Sequence, residues 1–359
     1  MTRPHVTVIA EAGVNHNGSL ERALQLVDAA AEAGADMVKF QTFRSEKLAS
    51  TRAPKADYQA RNTGSGTSQL DMLRALELSE GDHEALIARC ASRGIRFLST
   101  PFDPDSLDLL ANRFALPVIK LGSGELTNGP LLLQAAQTGR NLIVSTGMGT
   151  IDDVRDAMGV LAFGFTGGTE PSPDRFAVAL RSDAGAEALR RKVTLLHCTT
   201  EYPTPTGDVN LKAMETLRAA FGVPVGFSDH TEGFVIAVAA AALGAAVIEK
   251  HFTLDRTLPG PDHKASIEPP DLKRMVTAIR DVEQALGDGM KVPQESERGN
   301  MAVARKTLVA ARAIPAGAII GADDIRILRA GEGLSPMAYW ELVNSPAVRA
   351  FEEGEPFTR

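Results

Sequence analysis

Two histidines, His230 and His251, each close a short apolar run, and each has a carboxylate nearby, Asp229 for the first and Glu249 for the second. Two lysines, Lys39 and Lys120, stand within other apolar runs. Imidazoles at such positions can share one divalent ion or can be buried and hydrogen-bonded to their surroundings. A single strand lysine often runs its ammonium to the surface. Two of them, with Ser123, Ser145, Thr200 and Ser228 as hydroxyl donors, suit an anion carrying phosphate and carboxylate. The turn Gly122-Ser123-Gly124 could bring backbone N–H groups to an oxyanion, while no P-loop or dinucleotide fingerprint occurs.

These residues sit in or just after eight short β-rich runs, at 6–10, 37–41, 96–100, 118–122, 142–146, 194–198, 225–228 and 246–251. Ala- and Leu-rich stretches at helical spacing, such as 20–33 and 107–114, lie between most of them. Strands alternating with helices imply parallel pairing through right-handed crossovers. Eight such units over about 250 residues predict an α/β chain built on a (β/α)8 TIM barrel, whose active site forms at the C-terminal strand ends.

Polar residues gather at those ends. Glu11, Asn15 and His16 follow the first run, and Lys39 and Gln41 belong to the second. Thr100 closes the third, Lys120, Ser123 and Glu125 the fourth, and Ser145 the fifth. Thr200 and Tyr202 follow the sixth, and the two histidines end the last pair. Polar groups in buried strands are costly unless satisfied, so their recurrence at all eight ends reads as a functional ring. His230 and His251 end neighbouring strands, about 4.8 Å apart in a parallel sheet, and could reach one ion. Two imidazoles completed by water and substrate oxygens suit Mn²⁺ or Mg²⁺, with Co²⁺ as a further candidate, and the absence of clustered thiolates argues against structural zinc. Cys198 is expected to be packed rather than nucleophilic, because it and His197 point to opposite faces of one strand.

The chain has 359 residues, 44% hydrophobic and 23% charged, with a formal net charge of −7. That balance suits a folded protein and excludes a broadly basic nucleic-acid surface. Two cysteines exclude a disulfide framework and suit a reducing cytoplasm. No run of about 18 apolar residues suggests a membrane span. Two connections are long: 44–68, read as a lid or as plain disorder, and 163–191, whose second half reads as a surface helix. The expected organisation is a barrel at 1–287, a linker at 288–304 and a small β-rich module at 305–359, too small to bury much core alone.

Taken together, these stretches resemble the sialic acid synthase family. The matching segments are IAEAGVNHNG at 9–18, VKFQTF at 38–43, APKADYQ at 53–59, LSTPFD at 98–103, KLGSGE at 120–125 and VSTGM at 144–148. LHCTTEYPTP at 196–205, GFSDHTEG at 226–233, IEKHFTLD at 248–255 and GPDHKAS at 260–266 continue the match. The tail resembles the family's antifreeze-like SAF domain, a β-clip module. Its RPG-type motif stands here as Arg329-Ala330-Gly331, with alanine in place of proline.

The resemblance implies condensation of phosphoenolpyruvate with an N-acetylated mannose-type sugar. It assigns His230 and His251 to the metal, usually Mn²⁺, and Glu11 to the attacking water. Lys39, Thr100, Lys120, Ser123, Ser145 and Ser228, with Thr200 where some relatives carry Asn, match positions that hold phosphoenolpyruvate. Gln41, Glu125, Tyr202 and Asp262 match the sugar side. Arg329 matches an arginine that a domain-swapped homodimer sends into the partner's site. N-acetylneuraminate is the expected product, legionaminate the alternative, and a pseudaminate-type product is less favoured by the CTTEYPTP stretch. A non-catalytic carbohydrate-binding protein built around the tail is the reading from a different class. Lys39, Lys120 and the paired histidines speak against it, since binding alone needs neither a metal nor a phosphate cradle.

Overall fold

The computed structural model describes residues 5–50, 53–56, 59–60, 62 and 68–359. Gly64-Ser65-Gly66, and with it part of the 44–68 connection, and two residues of the APKADYQ stretch lie outside the described residues. The chain divides into two compact units at Gly287/Asp288.

In the first unit, β1 (Thr7–Gly13), β2 (Met37–Thr42), β3 (Arg96–Pro101), β4 (Val118–Leu121), β5 (Asn141–Ser145), β6 (Val193–His197), β7 (Val225–Asp229) and β8 (Val247–His251) form one sheet. Its order is β3-β2-β1-β8-β7-β6-β5-β4, with every ladder parallel. At the seam β3 packs beside β4, so the sheet is a nearly closed (β/α)8 barrel. The helix Leu20–Glu32 shows why the intervening stretches cover it. Ser19 caps its start by accepting from Arg22 N, and Ala23, Leu26, Val27 and Ala30 form its buried stripe.

The strands place the site by simple alternation. Ile9, Met37, Leu98, Ile143, Leu196 and Val247, with Val118 packed on them, form one apolar cluster inside the barrel. Their neighbours Ala10, Val38, Ile119, Val144 and Ile248 belong instead to the outer core shared with the helices. Side chains alternate with period two. The residue two positions beyond each floor residue therefore returns to the interior: Glu11, Lys39, Thr100, Lys120, Ser145, Cys198 and Glu249. In β7 the floor position is Gly226, where a Cβ would run into Val247 O and the Leu196 side chain, and Ser228 follows two residues later. An apolar floor thus carries a polar layer directly above it.

Within the first unit the structure differs from the sequence reading in two respects. β1 extends to Gly13, so Glu11 lies within the strand and not after it. The 163–191 connection is mostly helical: Pro173–Arg181 packs on Ile151–Phe165, with the Phe163 and Phe176 rings 5.2 Å apart, and Asp183–Lys192 leads into β6.

The second unit, Asp288–Arg359, contains a helix at Glu295–Ala304, within the stretch expected to be a linker. β9 (Thr307–Ala310) and β10 (Ile325–Leu328) pair antiparallel. Leu308, Ala310, Ile314, Ile320, Ala347, Phe351 and Phe357 make its small core. Among the described residues no helix is long and apolar enough to cross a membrane.

Candidate active site

A cavity of about 380 Å³ lies over the polar layer. Of the residues singled out in the sequence, Glu11, Lys39, Thr100, Lys120, Ser123, Ser145, Thr200 and Ser228 line it, as do Gln41, Tyr202, His230, His251 and Asp262. Glu125 does not. It sits in the short turn Ser123–Glu125 after β4 and accepts a 2.6 Å hydrogen bond from Asn128, and burial holds its pKa above the ordinary value. Arg329 belongs to the second unit, where it is exposed immediately after β10.

At the centre, four charges of alternating sign follow one another. Glu11 lies 2.8 Å from Lys39, Lys39 lies 3.6 Å from Glu249, and Glu249 lies 3.7 Å from Lys120. All four are buried. Hydroxyls extend the line, since Lys39 donates to Thr100 at 3.0 Å, Lys120 to Ser145 at 2.6 Å and Ser228 to Glu249 at 2.8 Å. Burial raises the Glu11 carboxyl to about 7 against the pull of Lys39. Burial also works against ionisation of Glu249, but Lys120 and Lys39 outweigh it and hold that carboxyl well below the usual range. Lys39 is lifted above its ordinary pKa because Glu11 and Glu249 outweigh its desolvation, whereas for Lys120 desolvation prevails and the pKa is lowered. The layer therefore holds two cations around one firmly ionised carboxylate, with a second carboxylate poised near neutrality.

The two histidines meet beside this line, their rings 5.6 Å apart, with Tyr202 4.2 Å from His230. His230 Nδ1 donates to Thr199 O at 2.7 Å, which leaves Nε2 without a proton. His251 Nδ1 is buried without a hydrogen-bond partner. Burial lowers both pKa values, His230 to about 4, so both imidazoles are neutral. Neutral rings with buried nitrogens, His230 Nε2 at 3.3 Å from Ser228 Oγ and His251 Nδ1 with no partner, are suited to a cation. Among the described residues no group of three or more His, Cys, Asp or Glu side chains forms a metal-holding cluster, so further ligands would be water and substrate oxygens.

Other edges of the cavity are set by close packing. Gly147 must be glycine, because a Cβ would collide with Thr200 Oγ1 and Ser123 Oγ. Its N–H donates to Ser123 Oγ at 3.1 Å, and Thr200 Oγ1 is buried with no partner. Asp262 is carried on the 260–266 loop, which Asn15 anchors through Ser266 Oγ (2.9 Å) and Phe252 O (2.8 Å). Burial pushes its carboxyl up to about 6.

Two residues were not given this place by the sequence. Glu249, in the sequence only a carboxylate near His251, stands between both lysines. Cys198 is packed, as expected, but its Sγ lies 3.2 Å from Ser123 Oγ, next to the hydroxyl cradle. The period-two rule above contains the signal for both, since each lies two residues beyond a floor residue.

A (β/α)8 barrel with a charged pocket at its C-terminal mouth is the architecture of an enzyme. The chain belongs to the NeuB family, whose profile matches residues 26–291, and the SAF domain profile matches residues 305–359. It is 45% identical to N,N'-diacetyllegionaminic acid synthase of Campylobacter jejuni over 97% of both chains. The enzyme of the same name from Legionella pneumophila is 43% identical, over 94% of this chain and 89% of that one. Among solved structures, the N-acetylneuraminic acid (sialic acid) synthetase of Leptospira borgpetersenii, in complex with citrate, aligns with a TM-score of 0.66 and 32% identity, covering 82% of this chain and 90% of that one.

Proposed function

We propose that this NeuB-family enzyme is an N,N'-diacetyllegionaminate synthase, joining phosphoenolpyruvate to 2,4-diacetamido-2,4,6-trideoxymannose with release of phosphate. The observation that carries the reaction is the Glu11–Lys39–Glu249–Lys120 line, a cationic cradle with hydroxyls on a buried apolar floor. Identities of 45% and 43% to two enzymes of that name, against 32% to a sialic acid synthetase, reverse the order of products expected from the motifs, where N-acetylneuraminate came first.

Lys39 and Lys120 hold the phosphate and carboxylate of phosphoenolpyruvate, with Thr100, Ser123, Ser145, Thr200 and Ser228 as donors. C3 of phosphoenolpyruvate bonds to the aldehyde carbon of the open-chain sugar. The aldehyde oxygen takes up a proton as its π electrons are displaced. Water, oriented by Glu11, loses a proton as it adds at C2. The C2–O bond to phosphate then breaks, its electrons leaving with the phosphate, while the new C2 hydroxyl loses its proton and becomes the ketone. Gln41, Tyr202 and Asp262 orient the sugar, while Glu125, outside the cavity, holds Asn128 in the adjacent turn. His230 and His251 would hold a divalent ion, most simply Mn²⁺, which would supply Lewis-acid polarisation of the aldehyde. Arg329 of one subunit completes the partner's site in a swapped homodimer. Both substrates are small polar solutes, which suits the cytoplasm.

The experiment is phosphate release from phosphoenolpyruvate with each candidate sugar, before and after chelation and Mn²⁺ return. The highest kcat/KM is expected with the 2,4-diacetamido sugar, and only when metal is present. A preference for N-acetylmannosamine would make the chain a neuraminate synthase. No phosphate release with any of the sugars, metal present, would leave a carbohydrate-binding protein.

A further inference from the structure

The cavity has a second character that the charged layer does not use. Val14, Leu48, Ala49, Met72, Leu73 and Leu76 line it, and with Phe43 they form an apolar cluster separate from the barrel's main core. Phe102 packs on this cluster and also lines the cavity. Its position sets the height of the wall. Phe102 lies two residues beyond Thr100 and four beyond the floor residue Leu98, one layer further toward the mouth than the lysines. Val14, the residue just past the end of β1, also lines the cavity. The remaining wall residues come from Ser45–Leu48, Gln69–Arg74 and the residues just after each. Along this wall the site therefore runs apolar, charged, apolar from floor to mouth, while Gln41, Tyr202 and Asp262 line the cavity with polar groups.

Phosphoenolpyruvate has no part for this wall. It is a small polyanion whose charges match the lysine layer, and its one methylene is the reacting carbon. The wall faces whatever lies between that layer and the mouth, which is the second substrate. Gln59 and Gln69 also line the cavity, but a sugar hydroxyl pressed on the Leu48 and Leu73 side chains themselves would lose its water without gaining a partner from them. A methyl group there loses nothing and removes more apolar surface from water.

We propose that this wall is the specificity subsite for the 6-deoxy end of the sugar, receiving its C6 methyl group. The inference rests on the legionaminate reading and deepens it. Recognition of the sugar is divided: polar groups near the histidines take the reacting end, and the Val14–Leu48–Leu73 wall selects the distal end for its lack of a hydroxyl.

The test compares two sugars differing only at C6: 2,4-diacetamido-2,4,6-trideoxymannose and its 6-hydroxyl counterpart. The readout is the ratio of their kcat/KM values, which does not depend on how much of a preparation is folded. For the unaltered enzyme the ratio is expected near 100 in favour of the deoxy sugar, the usual scale for an apolar pocket facing one added hydroxyl. Leu73→Asn, and separately Leu48→Ser at a partly exposed position, should bring the ratio below about 10 while leaving the KM for phosphoenolpyruvate within about twofold. Leu73→Met should keep the preference. Unchanged ratios in both polar variants, with the deoxy sugar still preferred by the unaltered enzyme, would overturn the wall's role and leave the product reading intact. An unaltered enzyme that prefers N-acetylmannosamine to both diacetamido sugars would overturn the product reading itself.

Discussion

Lys250 Nζ lies 3.0 Å from Asp229 Oδ2, and neither side chain has any exposed surface. The two residues are register partners across β7 and β8, and each immediately precedes one of the paired histidines. Lys250 also donates to Thr231 O at 2.5 Å, and Asp229 Oδ1 accepts from Thr231 N and Oγ1 at 2.9 and 2.7 Å. By the alternation of the strands both point away from the cavity, so this pair joins the two strands from behind while the histidines face the site. Removing one member of a buried, satisfied ion pair leaves the other charge stranded, at a cost of about 3–5 kcal/mol. Lys250→Met should lose about that much in denaturant unfolding, and adding Asp229→Asn should restore part of it. A single variant within about 0.5 kcal/mol of the unaltered protein would show that the pair carries no such weight.

Lys120 occupies the other end of the charge line, with Ser145 at 2.6 Å and Glu249 at 3.7 Å. Lys120→Met keeps most of the volume and removes the charge. On the cradle reading, kcat/KM for phosphoenolpyruvate should fall by about 2–4 kcal/mol in transition-state terms, as when one preorganised electrostatic donor is lost. Steady-state kinetics matching the unaltered enzyme would remove Lys120 from the site.

The barrel and its ring of polar strand ends were legible because both follow from one period. Runs alternating with helices fix parallel strands, and the residue two places beyond an apolar floor must face inward again. The meeting of His230 and His251 was legible for the same reason, being a matter of neighbouring strands. Glu249 between Lys39 and Lys120 was not, because those lysines lie on β2 and β4 and come within reach of β8 only once the sheet curls. The apolar wall was hidden differently. Leu48 lies near the start of the 44–68 connection and Leu73 just past its end, and the polar composition between them carries no periodicity that marks the short helices Ser45–Leu48 and Gln69–Arg74. The helix at Glu295–Ala304 escaped notice because it buries no residue and opens on Gln294, an uncommon cap, so neither an apolar stripe nor a Ser, Thr, Asp or Asn marks it.

Asp262 ties pH to stability. Burial raises its carboxyl to about 6, whereas an aspartate in an unfolded chain titrates near 3.9. The folded state therefore binds this proton more tightly than the unfolded state. The resulting contribution is complete below about pH 4 and is lost as pH rises through about 6. A gap of about two pH units corresponds to roughly 2–3 kcal/mol. Asp262→Asn removes the penalty of ionising a buried acid, so it should gain stability relative to the unaltered protein at pH 8 and about half as much at pH 5. Thermal unfolding at the two pH values measures this. A difference between variant and parent that does not change with pH would mean that Asp262 titrates as in an unfolded chain.

The assembly expected for the second unit has a sharper test than mass alone. Arg329 is exposed just beyond β10 and is followed at Gly331 by a left-handed turn, φ +79°, on a short Gly-flanked loop that projects a cation. A solvated surface arginine would look the same in one chain. The two readings separate only when subunits are mixed. If Arg329 serves the partner's barrel, a dimer of His230→Ala with Arg329→Ala contains one site that lacks both residues and one that has both. Each variant alone should be inactive or nearly so, and after subunit exchange the mixture should recover up to about one quarter of normal activity. That figure follows because half of the dimers in an equal mixture are mixed and each has one intact site, given random pairing as the closed two-fold symmetry of a homodimer allows. Exchange is followed independently, by native mass spectrometry of differently tagged chains. Demonstrated exchange with no return of phosphate release would place Arg329 over its own barrel or over none.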